Sequence, residues 1–230
     1  MVYQDPQPLY PEINACYQQY LPGSDQDIAK LKRGSAGFFK AVSHRLKKML
    51  GPSGRLLDIG CGYGFFLKQM RDLGWSVVGC EISKAALDYA QSQLGLEVME
   101  GPFEQLSFKA EEFDLVSAFY VIEHIARPVC FLRKVYSILK QGGLIWVRFP
   151  HTTPIVRWGK LLFDLDLSHA PWHLLDFSPQ TIRLALQLAG FVQIKVGVLG
   201  IRPLALVPGL SKDAIGYKPS QQHRPPSDED

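Results

Sequence analysis

At 230 residues the chain is long enough to bury one substantial core with looser ends. Its 47% hydrophobic and 20% charged residues are those of a globular protein, and a formal charge of +3 is too small to argue for a nucleic-acid partner. The most nearly membrane-length apolar stretch, 198–210, is interrupted by Arg202, Pro203 and Pro208, so no stable membrane insertion is expected.

Residues 1–24 are rich in Tyr, Pro and Gln and follow neither a helical nor a strand period. They lack the basic region and apolar core of a secretory leader. The four cysteines, at 16, 61, 80 and 130, form no C-x-x-C and read as reduced thiols, so a cytoplasmic setting is expected. Phe38, Phe39, Val42, Leu46, Met49 and Leu50 then recur at helical spacing. Lys40, Arg45, Lys47 and Lys48 fall largely off that stripe as a solvated face.

From Arg55 strands alternate with helices. Strands are expected near 55–59, 76–80, 96–99, 113–118 and 143–149, and helices near 64–73, 83–94, 128–140 and 178–189. A final pair of strands is expected at 191–197 and 201–207. This alternation predicts an α/β fold, a largely parallel sheet covered by helices on both faces. Residues 150–177 form one long connection that carries Trp158, Phe163, Trp172 and Phe177 with His151, His169 and His173. Open α/β sheets bind substrates under loops at the C-terminal strand edge, so this insertion is expected over a pocket. Ser178 before Pro179 is a good helix start. From Ser211 the chain turns polar and proline-bearing, and 211–230 is expected to be a disordered tail.

The most informative stretch is Leu56-Leu57-Asp58-Ile59-Gly60-Cys61-Gly62-Tyr63-Gly64-Phe65-Phe66-Leu67. An apolar run, one acid and three alternate glycines describe a buried strand turning sharply into a helix. Gly60, Gly62 and Gly64 permit positive φ and let a ligand approach the backbone at the positive end of that helix. A dinucleotide site wants G-x-G-x-x-G, whereas here the pattern is G-x-G-x-G followed by Phe65 and Phe66. Asp58, two residues ahead of the first glycine, would repel a pyrophosphate. It suits a ligand bearing an ammonium group, and S-adenosylmethionine has an amino-acid end and no phosphate.

On these residues the chain resembles class I S-adenosylmethionine-dependent methyltransferases, of the group similar to ubiquinone-biosynthesis O-methyltransferases. The resemblance runs from about Arg55 to Phe191. Leu56 to Gly64 resembles the first motif, and Val77-Val78-Gly79-Cys80-Glu81-Ile82-Ser83 the second strand with its ribose-binding acid. Phe113 to Ile125, with Glu123-His124, resembles the fourth strand and the loop after it. Leu139-Lys140-Gln141-Gly142-Gly143-Leu144 is similar to the Leu-Lys-Pro-Gly-Gly turn, with Gln141 in place of proline. The resemblance implies a Rossmann-like sheet of seven strands, the last antiparallel, and S-adenosylmethionine as methyl donor. It divides the chain into an N-terminal segment and candidate lid at 1–36 and a methyltransferase domain at 37–210. The insertion at 150–177 then covers the substrate, and the tail begins at 211.

It also assigns roles. Asp58 faces the ligand's amino group, Glu81 accepts both ribose hydroxyls, and Ile82 packs on the adenine. Gly60, Cys61, Gly62, Tyr63 and Gly64 form the cradle. Glu100 to Leu106 is similar to the adenine-binding loop, but Pro102 stands where many relatives place Asp. That leaves the backbone amide of Phe103, and Glu104, to read the ring. Carbonyls of Phe119 and Tyr120 meet the ammonium, and Arg33 is a candidate for the ligand carboxylate. An acceptor hydroxyl needs a base, for which His124 is the candidate, oriented by Glu123. Tyr20, His151, Trp158, His169, Trp172 and His173 are candidate acceptor-pocket residues.

Two patterns compete with this reading. Tyr136-x-x-x-Lys140 has the spacing of a dehydrogenase pair, but it lies on an amphipathic helix and the glycine pattern is wrong for nicotinamide. His169-x-x-x-His173 has metal-ligand spacing, but Pro171 interrupts a helix there and no third ligand follows, so no metal is expected. Outside catalysis, the alternative is a silent S-adenosylmethionine-binding partner or regulatory protein.

Overall fold

The structure is a computed structural model that describes residues 2–3 (backbone only), 21, 23–150, 174–197 and 211–220. Its strands are β1 (Val2–Tyr3), β2 (Arg55–Ile59), β3 (Ser76–Glu81), β4 (Val98–Glu100), β5 (Phe113–Phe119), β6 (Leu139–Pro150), β7 (Leu175–Asp176), β8 (Val192–Gly197) and β9 (Ser211–Tyr217). The helices are α1 (Asp25–Leu50), α2 (Phe65–Asp72), α3 (Lys84–Leu94), α4 (Pro128–Ile138) and α5 (Pro179–Leu188), with a 3₁₀ turn at Ile122–His124.

Seven strands form one sheet in the order β4-β3-β2-β5-β6-β9-β8, and β1 pairs separately with β7. Pairing is parallel from β4 to β6, while β9 runs antiparallel to both β6 and β8. The expected Rossmann-like arrangement, with the last strand reversed, is therefore present. β2 lies centrally between β3 and β5, so the order reverses at its C-terminal end. That crevice is where open α/β sheets hold ligands.

The period-2 alternation of the strands divides the core between two faces. Leu57, Ile59, Val116, Ala118, Ile145 and Val147 pack with Phe131, Leu132, Val135 and Ile138 of α4 and Ile182 and Leu186 of α5. Leu56, Leu115, Leu144, Trp146 and Ile215 pack on the other face with Val42 and Leu46 of α1, Phe66, Leu67 and Met70 of α2, and Leu87 of α3. Helix α5 starts where the sequence predicts. Ser178 Oγ accepts the Thr181 amide at 3.2 Å and Thr181 Oγ1 accepts the Ser178 amide at 2.9 Å, a reciprocal cap that satisfies two orphan donors.

Two expectations need correction. The 1–36 segment is not separate from the first helix, because α1 begins at Asp25, where Ser24 Oγ accepts the Asp27 amide at 3.2 Å. Its first half is solvated apart from the buried Ile28, so no apolar period marks it. The tail is not disordered from Ser211, since Ser211–Tyr217 forms β9 between β6 and β8. Its polarity misleads because Asp213, fully buried, is satisfied internally. Asp213 receives the Trp146 indole N–H at 3.0 Å and two bonds from Arg148 Nη1 at 3.2 and 3.0 Å. The strand expected at 201–207 lies outside the described residues.

Asp213→Ala would strand the mostly buried Arg148 guanidinium and an indole donor. It is expected to lower stability by roughly 3–5 kcal/mol, read from urea unfolding. An unchanged midpoint would show that this pair does not hold β9 in the sheet.

Candidate functional site

The C-terminal ends of β2, β3 and β5, the loop after β4 and the start of α4 enclose a cavity of about 760 Å³. Its wall at the sheet is the glycine turn. Gly60, Gly62 and Gly64 have φ of 66°, 53° and 75°, in the left-handed region that favours glycine. Each glycine has its own reason. A Cβ on Gly60 would stand 2.6 Å from Val121 Cγ2, and one on Gly64 would stand 2.5 Å from Leu96 Cδ1. A Cβ on Gly62 would meet nothing closer than 3.8 Å, so there the missing side chain keeps the lining backbone bare.

Glu81 ties this turn to the end of β3. Its Oε2 accepts the Gly62 amide at 2.8 Å, and its Oε1 accepts the amides of Ile82 and Ser83 at 2.9 and 2.8 Å. Burial pushes the Glu81 carboxyl upward, and those three amides oppose the rise. A carboxylate has roughly four lone-pair sites. Three are occupied, leaving one on Oε2. The remaining acceptor capacity thus lies on Oε2, which takes one amide where Oε1 takes two.

Asp58 lies on β2 opposite Ser117 of β5, whose hydroxyl donates to Asp58 Oδ1 at 2.6 Å. Burial, with a smaller contribution from the Glu81 charge, pushes its carboxyl up to about 7 against the pull of the Ser117 hydroxyl. The neighbouring thiols stay protonated. Burial raises Cys80 to about 12 and Cys61 well above its usual range, with the nearby carboxylates adding to both. The sheet side of the site is thus acidic.

The opposite wall is the loop 101–106. Phe103 turns its ring into the core against Phe108 (5.6 Å between centroids) and Phe131 (5.2 Å), so it offers the cavity its backbone. Glu104 is exposed at the lining. The third wall follows β5. Phe119 packs edge-on against Phe38 and Phe66. Tyr120 takes a φ of 59°, strained for a bulky residue. It is held by its amide to the Arg148 carbonyl at 2.7 Å and by its hydroxyl, which accepts from Arg148 Nε at 2.8 Å.

Of the residues expected in the site, Gly60, Gly62, Glu81, Ile82, Phe103, Glu104, Phe119, Tyr120 and His124 all line this cavity. Asp58, Cys61, Tyr63 and Gly64 belong to the same turn but do not line it. The Tyr63 ring packs with Tyr89 and Phe65 beside Ile28, and Gly64 caps α2. Arg33 is exposed on α1, away from the lining. Tyr20, His151, Trp158, His169, Trp172 and His173 lie outside the described residues. Glu123 does not orient His124 as expected: both its carboxylate oxygens are buried without a hydrogen-bond partner among the described residues. Burial pushes that carboxyl up to about 8. Leu21, Val121, Ile125, Arg127 and Lys134 also line the cavity and were not anticipated, since each reads in sequence as an ordinary loop or helix residue.

The dehydrogenase-like pair is structural. The Tyr136 ring packs on Phe191 at 5.3 Å, and Lys140 Nζ pairs with Asp114 at 2.8 Å. Among the described residues no three His, Cys, Asp or Glu side chains gather as metal ligands, and no helix is long and apolar enough to cross a membrane.

Residues 57–147 match the family model described as a methyltransferase domain. The chain is similar to ubiquinone biosynthesis O-methyltransferases from Ruegeria pomeroyi, 40% identical over 95 residues, and Cereibacter sphaeroides, 40% over 96 residues. The matches take in 39% and 40% of this chain, and the chain spans 38% and 39% of the length of those relatives. Among solved structures, a methyltransferase from Thermotoga maritima, described as a possible histamine N-methyltransferase, superposes with a TM-score of 0.65 at 21% identity. It covers 91% of this chain and 100% of its own. The phosphoethanolamine N-methyltransferase 2 of Haemonchus contortus, solved with S-adenosyl-L-methionine, superposes at 0.59 with 17% identity, covering 78% of this chain and 52% of its own.

The Asp58 carboxyl gives a pH test. The unfolded chain releases this proton near 3.8 and the folded chain only near 7. Between these values the native state holds the extra proton, so rising pH favours unfolding, and the penalty is complete above about 7. Asp58→Asn removes it. The variant is expected to gain up to roughly 4 kcal/mol over the parent at pH 8 and little at pH 4, measured by denaturant unfolding. Equal gains at both pH values would refute the buried-proton account.

Proposed function

We propose that this chain, whose residues 57–147 carry a methyltransferase domain, is an S-adenosylmethionine-dependent methyltransferase acting on a small-molecule acceptor at a hydroxyl. The observation that carries the reading is the meeting of the bare glycine turn with the buried Glu81 carboxylate at one cavity, with a second buried acid, Asp58, behind the turn. Such a surface disfavours a pyrophosphate and favours an ammonium and a hydroxyl. Glu81 keeps one lone pair for the ribose, Ile82 offers an apolar face to the base, and the 103–104 backbone stands across from it. Asp58 acts from behind the turn, through water or the intervening backbone.

Bound S-adenosylmethionine supplies an activated methyl group, so the protein's part is to align the acceptor, exclude water and take up a proton. His124 lines the cavity on the 3₁₀ turn after β5 and is the group we assign to the acceptor's proton. Phe119, Tyr120, Val121, Ile125 and Leu174 add an apolar, partly aromatic surface to the same cavity. This wall supports a flat or partly apolar acceptor such as a phenol, and the ubiquinone-biosynthesis relatives are consistent with that class. In this reading α1 through β9 form one catalytic unit. A cytoplasmic setting fits the free thiols of Cys61, Cys80 and Cys130.

Titration with S-adenosylhomocysteine is expected to show binding that Glu81→Ala weakens by roughly 1–3 kcal/mol. Equal affinity in the variant would remove Glu81 from the ribose. His124→Ala is expected to slow methyl transfer at least about a hundredfold while leaving S-adenosylhomocysteine affinity within twofold or so. A full rate in that variant dismisses it as the base. Tight binding without turnover across a panel of hydroxylated aromatics would favour the silent-partner alternative.

A further inference from the structure

The loop 101–106 has no regular structure to hold it. Its internal bonds are the Gln105 amide to the Pro102 carbonyl at 2.9 Å and the Leu106 amide to the Phe103 carbonyl at 3.3 Å. Its first residue is tied to β3 by the Gly101 amide, which donates to the Glu81 carbonyl at 3.0 Å. The remaining restraint comes from outside. Lys134 of α4 donates from Nζ to the carbonyls of Phe103 at 2.8 Å, Glu104 at 2.9 Å and Leu106 at 2.6 Å. The same ammonium lies 4.9 Å from the Phe103 ring centroid.

An ammonium has three donors, and here three carbonyls take them all. Lys134 is therefore saturated by protein and is not a free counter-charge for a ligand, although it lines the cavity. Holding a lysine in one geometry costs rotamer entropy, which three charge-assisted bonds from a half-buried ammonium offset. The consequence falls on the peptide planes. In a trans peptide the C=O and the following N–H point in opposite directions, so fixing the Phe103 and Glu104 carbonyls also fixes the amides of Glu104 and Gln105.

Because Pro102 has no donor or acceptor side chain and the Phe103 ring is buried, this loop meets a ligand through its backbone and the side chains of Glu104 and Gln105. We infer that Lys134 is a positioning residue, a three-carbonyl clamp that sets the loop to recognise the adenine edge of the cofactor. This rests on the cofactor reading given above. Pro102, Phe103, Glu104 and Gln105 line one side of the cavity together with Lys134 itself, so the clamp stands directly behind the surface it shapes.

The test compares S-adenosylhomocysteine with S-inosylhomocysteine, which carries an oxo group in place of the 6-amino group, by calorimetric titration of the full chain. The parent is expected to prefer the adenine ligand, and Lys134→Met is expected to cut that preference about fivefold or more. A simple loss of stability would weaken both ligands alike, and an unaltered ratio overturns the proposal whether or not overall affinity falls. If Lys134→Met does not fold, Lys134→Arg carries the same comparison, since a planar guanidinium keeps the charge but cannot place one nitrogen among three carbonyls. A parent that binds neither ligand overturns the cofactor reading itself. A parent that binds both, with discrimination indifferent to residue 134, overturns only the clamp.

Discussion

The Glu81 carboxylate is the contact on which the site depends. Burying a charge beside a second buried acid is costly, and the cost is met by three backbone amides that have few other uses for their hydrogen bonds. Two of those amides follow Glu81 at the end of β3, and the third belongs to the turn after β2. One side chain thus couples two neighbouring strands at their C-terminal ends and sets the shape of the glycine bend. The parallel sheet brings the two ends level, because the β2–β3 register pairs Ile59 with Cys80, one residue short of both the turn and the acid.

A second set of polar contacts supports the other wall. Arg148 and Asp213 face each other across the β6–β9 register, and Arg148 reaches on to the Tyr120 hydroxyl while its guanidinium covers the Phe38 ring at 4.1 Å. The bend at Tyr120, unfavourable for a residue with a side chain, is held by this group. The strand that closes the sheet and the residue that turns the chain away from β5 are therefore linked through one guanidinium. The wall formed by the loop 101–106 has its own cation in Lys134. Each wall of the cavity is thus held by a charged side chain acting on backbone or on a fixed partner, which leaves the lining itself largely apolar.

The cavity is chemically divided. Its sheet side carries Glu81 and the bare backbone, with Asp58 behind them, suited to the polar parts of a nucleoside joined to an amino acid. Apolar side chains line the rest, Phe119, Ile125 and Leu174, while Leu21 and Val121 lie against Gly62 and Gly60 of the turn itself. His124 lines the cavity next to Glu123, whose carboxyl burial pushes up to about 8 and whose carboxyl oxygens have no hydrogen-bond partner among the described residues.

The sequence by itself determined the parallel sheet, its alternating helices, the glycine turn and the acid at the end of the second long strand. These are local facts: a run such as Leu56-Leu57 followed by spaced glycines admits few backbone paths. It was misleading where charge is satisfied at a distance. Asp213 made β9 look like a polar tail, and the exposed first half of α1 carried no apolar period to mark it. Only the tertiary structure decided that Lys134 spends its three donors on a loop about thirty residues away in the chain, that Glu81 takes three backbone amides, and that the Glu123 carboxyl has no hydrogen-bond partner among the described residues. The reason is general: side-chain partners chosen across the sheet depend on where two separate segments meet, and no periodicity in either segment records that distance.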